Sequence, residues 1–183
     1  PSGRLSVHYQ PQHDIADGRL TGFEALVRWR HPQRGWISPA QFVPVAEETG
    51  LVIALGAWVL RQACRDAARW PGDIKIAVNV SGVQLTSRQM VRTVAGALAE
   101  TGLPPARLEL EVTETAVLAD PALARARMLS LRALGVRLAL DDFGTGYSSL
   151  AYLRTYPIDT LKIDRSFVTG LADGAQADMI LGT

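Results

Sequence analysis

The run IKIAVNV, residues 74–80, decides the fold class. Its apolar residues are nearly continuous instead of alternating with polar ones. A parallel strand covered on both faces reads this way. Five further segments have strand character: LSVHYQ (5–10), FEALVRW (23–29), RLELEVT (107–113), VRLALDD (136–142) and DTLKID (159–164). Helical patterns separate most of them. Ser38-Pro39-Ala40-Gln41 predicts a helix start, with Ser as N-cap, Pro at the first position and Gln where a capping box needs it. Residues 53–69 keep apolar side chains at helical spacing through Leu55, Val59, Leu60 and Cys64. Thr86 or Ser87 starts a third helix that stops near Thr101-Gly102, and Asp120-Pro121 opens a fourth that runs to Leu134 and closes at Gly135. A fifth, shorter helix follows Gly146. The first two strands have no helix between them, and Asp14, Asp17 and Gly18 predict a hairpin-type turn there. After that hairpin, strand and helix alternate, which predicts an α/β fold.

The chain has 183 residues, 48% hydrophobic and 20% charged, enough for one domain with a substantial core. Lys plus Arg number 19 against 18 for Asp plus Glu, so the net charge of +1 makes no case for a DNA or RNA polymer or for a membrane surface. No apolar run reaches the roughly 18 residues of a membrane span, and no N-terminal stretch reads as a signal peptide. The single cysteine, Cys64, excludes an internal disulfide and fits a reducing, cytoplasmic setting, where it reads as a small core residue.

Polar residues collect at one end of the strands. Asn79 lies near the end of the third, Glu109 and Glu111 lie in the fourth with Glu114 just past it, Asp141 and Asp142 end the fifth, and Lys162 and Asp164 end the sixth. In α/β folds the carboxyl ends of parallel strands form the site face. Adjacent carboxylates such as Asp141 and Asp142 repel each other unless something positive sits between them. Carboxyl and amide oxygens with no His or Cys cluster suit hard cations, Mg²⁺ or Mn²⁺, and His8, His13 and His31 show no ligand spacing. Asp141 and Asp142 point to opposite sides of an ideal strand and could reach two ions, or one ion and a partner behind it; two ions are an arrangement familiar in phosphoryl displacement. Lys162 either orients a water and neutralises charge on phosphorus, or closes a salt bridge to Asp141 or Glu111. Glu109 and Glu111 share one face of a regular strand, and Glu111 is the one expected at the metal, with Glu109 displaced or outside the barrel. Two decoys fall away. DFG at 142–144 has no accompanying kinase motifs, and GTGYSS lacks the Gly-Lys-Ser/Thr ending of a P-loop.

Taken together, FEALVRWRHP (23–32), FVPVAEETGL (42–51), NVS (79–81), EVTE (111–114), DDFGTGYSSL (141–150) and LKIDRSFV (161–168) resemble the EAL-domain family of bacterial cyclic di-GMP phosphodiesterases, in order and spacing across essentially the whole chain. The resemblance implies a modified (β/α)₈ TIM-like barrel with an antiparallel strand near the start, of which this chain covers about six strands. It implies hydrolysis of one phosphodiester bond of cyclic di-GMP to linear pGpG, with two ions, Mg²⁺ or Mn²⁺. Glu24, Asn79, Glu111, Asp141 and Asp142 resemble the metal ligands, and Lys162 the lysine on the catalytic water. Glu24, Lys162 and Glu114 form the implied catalytic group, with Glu114 steadying the loop 142–149. Gln10, Leu26, Arg28 and Asp164 resemble the dinucleotide contacts, Arg28 as a phosphate fork or, alternatively, a salt-bridge partner of the acids. A homodimer and an upstream sensory or cyclase domain are further family expectations. A barrel of this class needs about 250 residues, and the family's later AEGVE-like strand and QGY-like motif do not occur here. The expectation is therefore residues 1–183 of a single, C-terminally incomplete domain from a larger multidomain signalling protein. The alternative to an enzyme is a non-catalytic cyclic di-GMP receptor, motivated by the missing C-terminal metal ligand.

Overall fold

A computed structural model describes residues 5–143 and 155–163 of the chain. Alternation of strand and helix builds one sheet with helices on its outer face. The strands are β1 (Leu5–His13), β2 (Leu20–His31), β3 (Gly35–Ile37), β4 (Lys75–Val80), β5 (Leu108–Thr113), β6 (Arg137–Phe143) and β7 (Thr160–Ile163). Their order is β1-β2-β4-β5-β6-β7, with β3 paired to the far end of β2. β1 and β2 are antiparallel and the rest of the main path is parallel. Among the described residues the sheet is open, edged by β1 and β7, where the sequence predicts part of a closed barrel.

The apolar runs explain the layers. Ile76, Val78 and Val80, then Leu108, Leu110 and Val112, then Leu138 and Leu140 point outward and are buried. They meet the inner stripes of α2 (Val52–Ala67), α4 (Met90–Thr101) and α6 (Pro121–Arg132), which supply Ala63, Cys64 and Ala67, Val94 and Ala97, and Ala124, Met128 and Leu131. The central strand β5 is covered on its inner face as well and is buried at every position but its last, whereas β4 and β6 leave Asn79, Arg137 and Asp141 partly or fully exposed there.

The hairpin forms as expected. Gly18 has φ 70°, and the Asp14 and Asp17 carboxylates accept from the backbone N–H groups of Ala16 and Arg19. The N-cap at Ser38, the left-handed stop at Gly102 and the Asp120 cap of α6 also stand. Four expectations need correction. Ser38 makes no side-chain cap bond, so there is no capping box at the start of α1 (Pro39–Glu48). The helix placed at Thr86 or Ser87 is two helices: α3 (Gly82–Thr86), capped by Ser81, and α4, which begins at Met90. The short strand β3 was missed, since three residues carry no period. So was α5 (Glu114–Ala119), a six-residue helix capped by the Thr113 side chain. The helix expected after Gly146 lies outside the described residues. Among the described residues no helix is long and apolar enough to cross a membrane.

Candidate active site

Register decides which side chains meet. Glu24 stands beside Ala77, Asn79 beside Glu111, Glu111 beside Ala139 and Thr113 beside Asp141. Neighbours in register share a face, so Glu24, Asn79, Glu111 and Asp141 all point to the inner side of the sheet. Lys162, two residues past Thr160 on β7, points there as well. Its ammonium donates to Glu111 Oε1 at 2.6 Å and lies 3.7 Å from both Glu24 Oε2 and Asp141 Oδ2. Three strands thus deliver carboxylates to one cation on a fourth. Asn79 Nδ2 donates to Glu24 Oε1 at 2.8 Å and holds that glutamate in place.

Asn79 is aimed by the turn at the end of β4. The chain enters α3 there through a capping box: Gln84 N donates to Ser81 Oγ, and Ser81 N donates to Gln84 Oε1. The buried Gln84 amide lies against Gly56 of α2, where a Cβ would collide with its nitrogen. Sequence reading missed Gln84, although Ser81-x-x-Gln84 directly after a strand is a legible cap signal.

The three carboxylates face one ammonium, a formal excess of two negative charges. Glu111 is 1% exposed, and its Oε2 has no hydrogen-bond partner among the described residues. Burial pushes its carboxyl from 4.5 up to about 7; Lys162 opposes that, while Glu24 and Asp141 add to it. Burial lowers the Lys162 pKa, but its bond to Glu111 and the charges of Glu111, Glu24 and Asp141 outweigh that and leave it raised. An oxygen-only donor set, surplus negative charge and an orphaned buried carboxylate oxygen fit a hard divalent cation. As it stands, no group of three or more His, Cys, Asp or Glu among the described residues forms a ready metal cage, because the carboxylates converge on Lys162 instead.

The other expected site residues take varied places. Asp142 is exposed: its φ is 54°, the β6–β7 register shifts between Leu140 and Phe143, and its N–H donates to Asp141 Oδ1. Glu109 is neither outside the sheet nor beside the trio. It lies on the inner face one row lower, accepting from Thr160 Oγ1 at 2.8 Å and lying 3.5 Å from Arg137 Nε. Glu114 is buried at the first position of α5. Gln10 is exposed on β1 directly opposite Glu24. Leu26 and Arg28 line a cleft of about 770 Å³ formed by the carboxyl ends of β2, β4 and β5 with α1, α2, α3 and α5, and Asn79 borders it too. Arg28 Nη1 donates to the Val27 carbonyl and reaches no carboxylate among the described residues. Asp164 and loop positions 144–149 lie outside the described residues.

Comparison with known proteins bears on this geometry. The family model for the EAL domain matches residues 2–182. The chain is 55% identical over 167 residues to an uncharacterized signaling protein of Caulobacter vibrioides, covering 91% of this chain and 21% of that protein. It is 46% identical over 173 residues to MucR of Pseudomonas aeruginosa, a bifunctional diguanylate cyclase/cyclic di-GMP phosphodiesterase, covering 92% of this chain and 25% of MucR. The solved PaMucR phosphodiesterase in complex with c-di-GMP matches with a TM-score of 0.88 and 46% identity, over 92% of this chain and 70% of that one. The chain spans about a fifth to a quarter of the length of these two curated relatives.

Proposed function

The chain belongs to the EAL-domain family, and on that premise we propose that it is a metal-dependent phosphodiesterase that opens one phosphodiester bond of cyclic di-GMP to give linear pGpG. The convergence of Glu24, Glu111 and Asp141 on Lys162 carries the reading. Glu24, Asn79, Glu111, Asp141 and Asp142 would hold Mg²⁺ or Mn²⁺, as two ions. Bound there, the ions supply Lewis-acid charge to the phosphodiester oxygens and acidify the attacking water.

The protein's own groups do the rest. Lys162 holds the attacking water by a hydrogen bond and offsets charge growing on phosphorus. Arg28, with no carboxylate partner of its own among the described residues, forks a non-bridging phosphate pair. Leu26 and the apolar cleft beside it bury the ligand and exclude water, and Gln10, facing Glu24 across the hairpin, meets a nucleobase edge. Asp164 adds a further ligand contact. Buried Glu114 steadies the loop that follows β6. An upstream sensory or cyclase domain, a second copy of the chain and a cytoplasmic setting complete the reading, with residues 1–183 as part of one domain.

The test is turnover. The protein is incubated with cyclic di-GMP and Mg²⁺ or Mn²⁺, and pGpG is resolved by anion exchange, with Glu24→Gln alongside. Product from the unaltered protein alone supports the enzyme. Tight cyclic di-GMP binding without product, unchanged in Glu24→Gln, would instead identify a receptor module.

A further inference from the structure

Two polar contacts cross β6 on the inner face, and only the upper one belongs to the candidate site. β5 and β7 are not neighbours, because β6 lies between them. Two strand spacings, about 9–10 Å, separate their backbones. Their side chains nevertheless meet twice. Lys162 donates to Glu111 at 2.6 Å, and below it Thr160 Oγ1 donates to Glu109 Oε2 at 2.8 Å. Ala139 stands between, fully buried, in register with Glu111 on one side and Thr160 on the other. A methyl group is short enough to be bridged; a longer side chain would occupy the path of both contacts.

The backbone does not place Lys162 by itself. β7 pairs regularly with β6 only at Thr160 and Leu161, and the register then shifts, leaving Lys162 with no partner residue until Ile163 meets Phe143. Thr160 is therefore the last register-fixed side chain on the inner face before Lys162, since Leu161 points to the other side. Its anchor, Glu109, is 8% exposed and has Arg137 Nε at 3.5 Å. A hydroxyl bonded to a buried carboxylate is a strong tie, even though Thr160 itself is half-buried.

We propose that Thr160 and Glu109, spanning Ala139, are positioning residues that fix the Lys162 ammonium over Glu111. They thereby set how strongly that ammonium competes with a divalent cation for the Glu111 carboxylate. The consequence for turnover rests on the phosphodiesterase reading; the consequence for cation binding does not.

Mn²⁺ titration calorimetry on the unaltered protein, Thr160→Val, Thr160→Ser, Lys162→Met and the Thr160→Val/Lys162→Met double variant tests this. Thr160→Ala replaces Thr160→Val if the valine variant fails to fold by circular dichroism. Lys162→Met should bind Mn²⁺ tighter, and Thr160→Val should move about threefold to tenfold in the same direction, as coupled neighbours do. Thr160→Ser should stay near the unaltered value, and Thr160→Val should add nothing once Lys162 is gone. An equal effect of Thr160→Val in both backgrounds overturns the proposal. So does no effect where Lys162→Met has one, or no Mn²⁺ binding by the unaltered protein. With cyclic di-GMP and saturating Mn²⁺, Thr160→Val should lower kcat about tenfold with KM little changed, and Thr160→Ser should restore it. Absence of turnover by the unaltered protein, with the binding cycle intact, sinks the phosphodiesterase reading and leaves the positioning role standing.

Discussion

Glu109 and Glu111 are the same residue type, two positions apart on one strand, facing the same side, and both buried. Their surroundings differ by one row. Glu109 has a guanidinium and a hydroxyl to itself. Glu111 shares one ammonium with two other carboxylates and keeps an oxygen unpaired among the described residues. The lower row pairs one carboxylate with one guanidinium, so its charge is balanced, although Arg137 Nε makes no hydrogen bond among the described residues. The upper row carries surplus negative charge that the fold alone leaves uncompensated. Burial of a carboxylate is therefore a poor guide to function, and charge balance around it is a better one.

The largest expected effect separates the two glutamates by turnover. Glu111→Gln should lower cyclic di-GMP hydrolysis by about a thousandfold or more, the scale on which removal of transition-state charge stabilisation is felt. Glu109→Gln keeps an acceptor for Thr160 and should stay within about tenfold of the unaltered protein. Steady-state kinetics at saturating Mn²⁺ decide it. Equal losses at the two positions would erase the distinction drawn between the rows.

Stability against pH sharpens the same contrast without any catalysis. Folded Glu111 keeps its proton to about pH 7, while the unfolded chain releases it near 4.5. Between those values the folded state binds more protons, so stability falls as pH rises through that window and stays low above it. Lys162 has the same sign in a higher window: its raised pKa adds stability below its unfolded value, which covers the whole neutral range, and that stability is lost only as pH rises beyond it. The metal-free protein should therefore lose on the order of 1–3 kcal/mol between pH 5 and pH 8 from Glu111. Glu111→Gln should flatten that slope, and Glu109→Gln should not. Mn²⁺ must displace the Glu111 proton, so its apparent affinity should rise with pH through about 7. Thermal melts at the two pH values, with and without Mn²⁺, check both signs.

How much of the molecule was legible in its sequence divides along the same line. The central parallel strands were readable from their buried apolar outer faces, and the hairpin because Asp14, Asp17 and Gly18 have specific turn chemistry. The gathering of acids at strand ends was readable from the alternation of strand and helix. The row each acid occupies was not. A period of two places Glu109 and Glu111 on one face, and only the register with β6 and β7 tells them apart. A salt bridge from Lys162 to Asp141 or Glu111 was one of two readings the sequence allowed, and the structure has both contacts, with Glu111 the shorter; that the bridge spans a whole strand over the small Ala139 was not readable. The left-handed backbone at Asp142 is a property of the β6 register shift, and no residue pattern announced it. Short elements such as β3 and α5 escape periodicity because three to six residues contain barely one period.

The smallest expected effect probes how the upper row is held from behind. Asn79 fixes Glu24, and the capping box of Ser81 and Gln84 fixes the turn that carries Asn79. Gly56 leaves room for the Gln84 amide, so Gly56→Ala should push that amide out and break the box. Loss of such a cap costs about 1 kcal/mol, or roughly 2–4 °C in Tm for a domain of this size. Nothing in the lower row depends on Gly56, so the damage should appear as weaker Mn²⁺ binding, with the pH slope from Glu111 retained. Gln84→Ala removes both the cap and the obstacle, so adding Gly56→Ala to it should cost nothing further. A double variant less stable than Gln84→Ala alone would mean that Gly56 serves the packing of α2 itself, and that the turn behind Asn79 is held by something else.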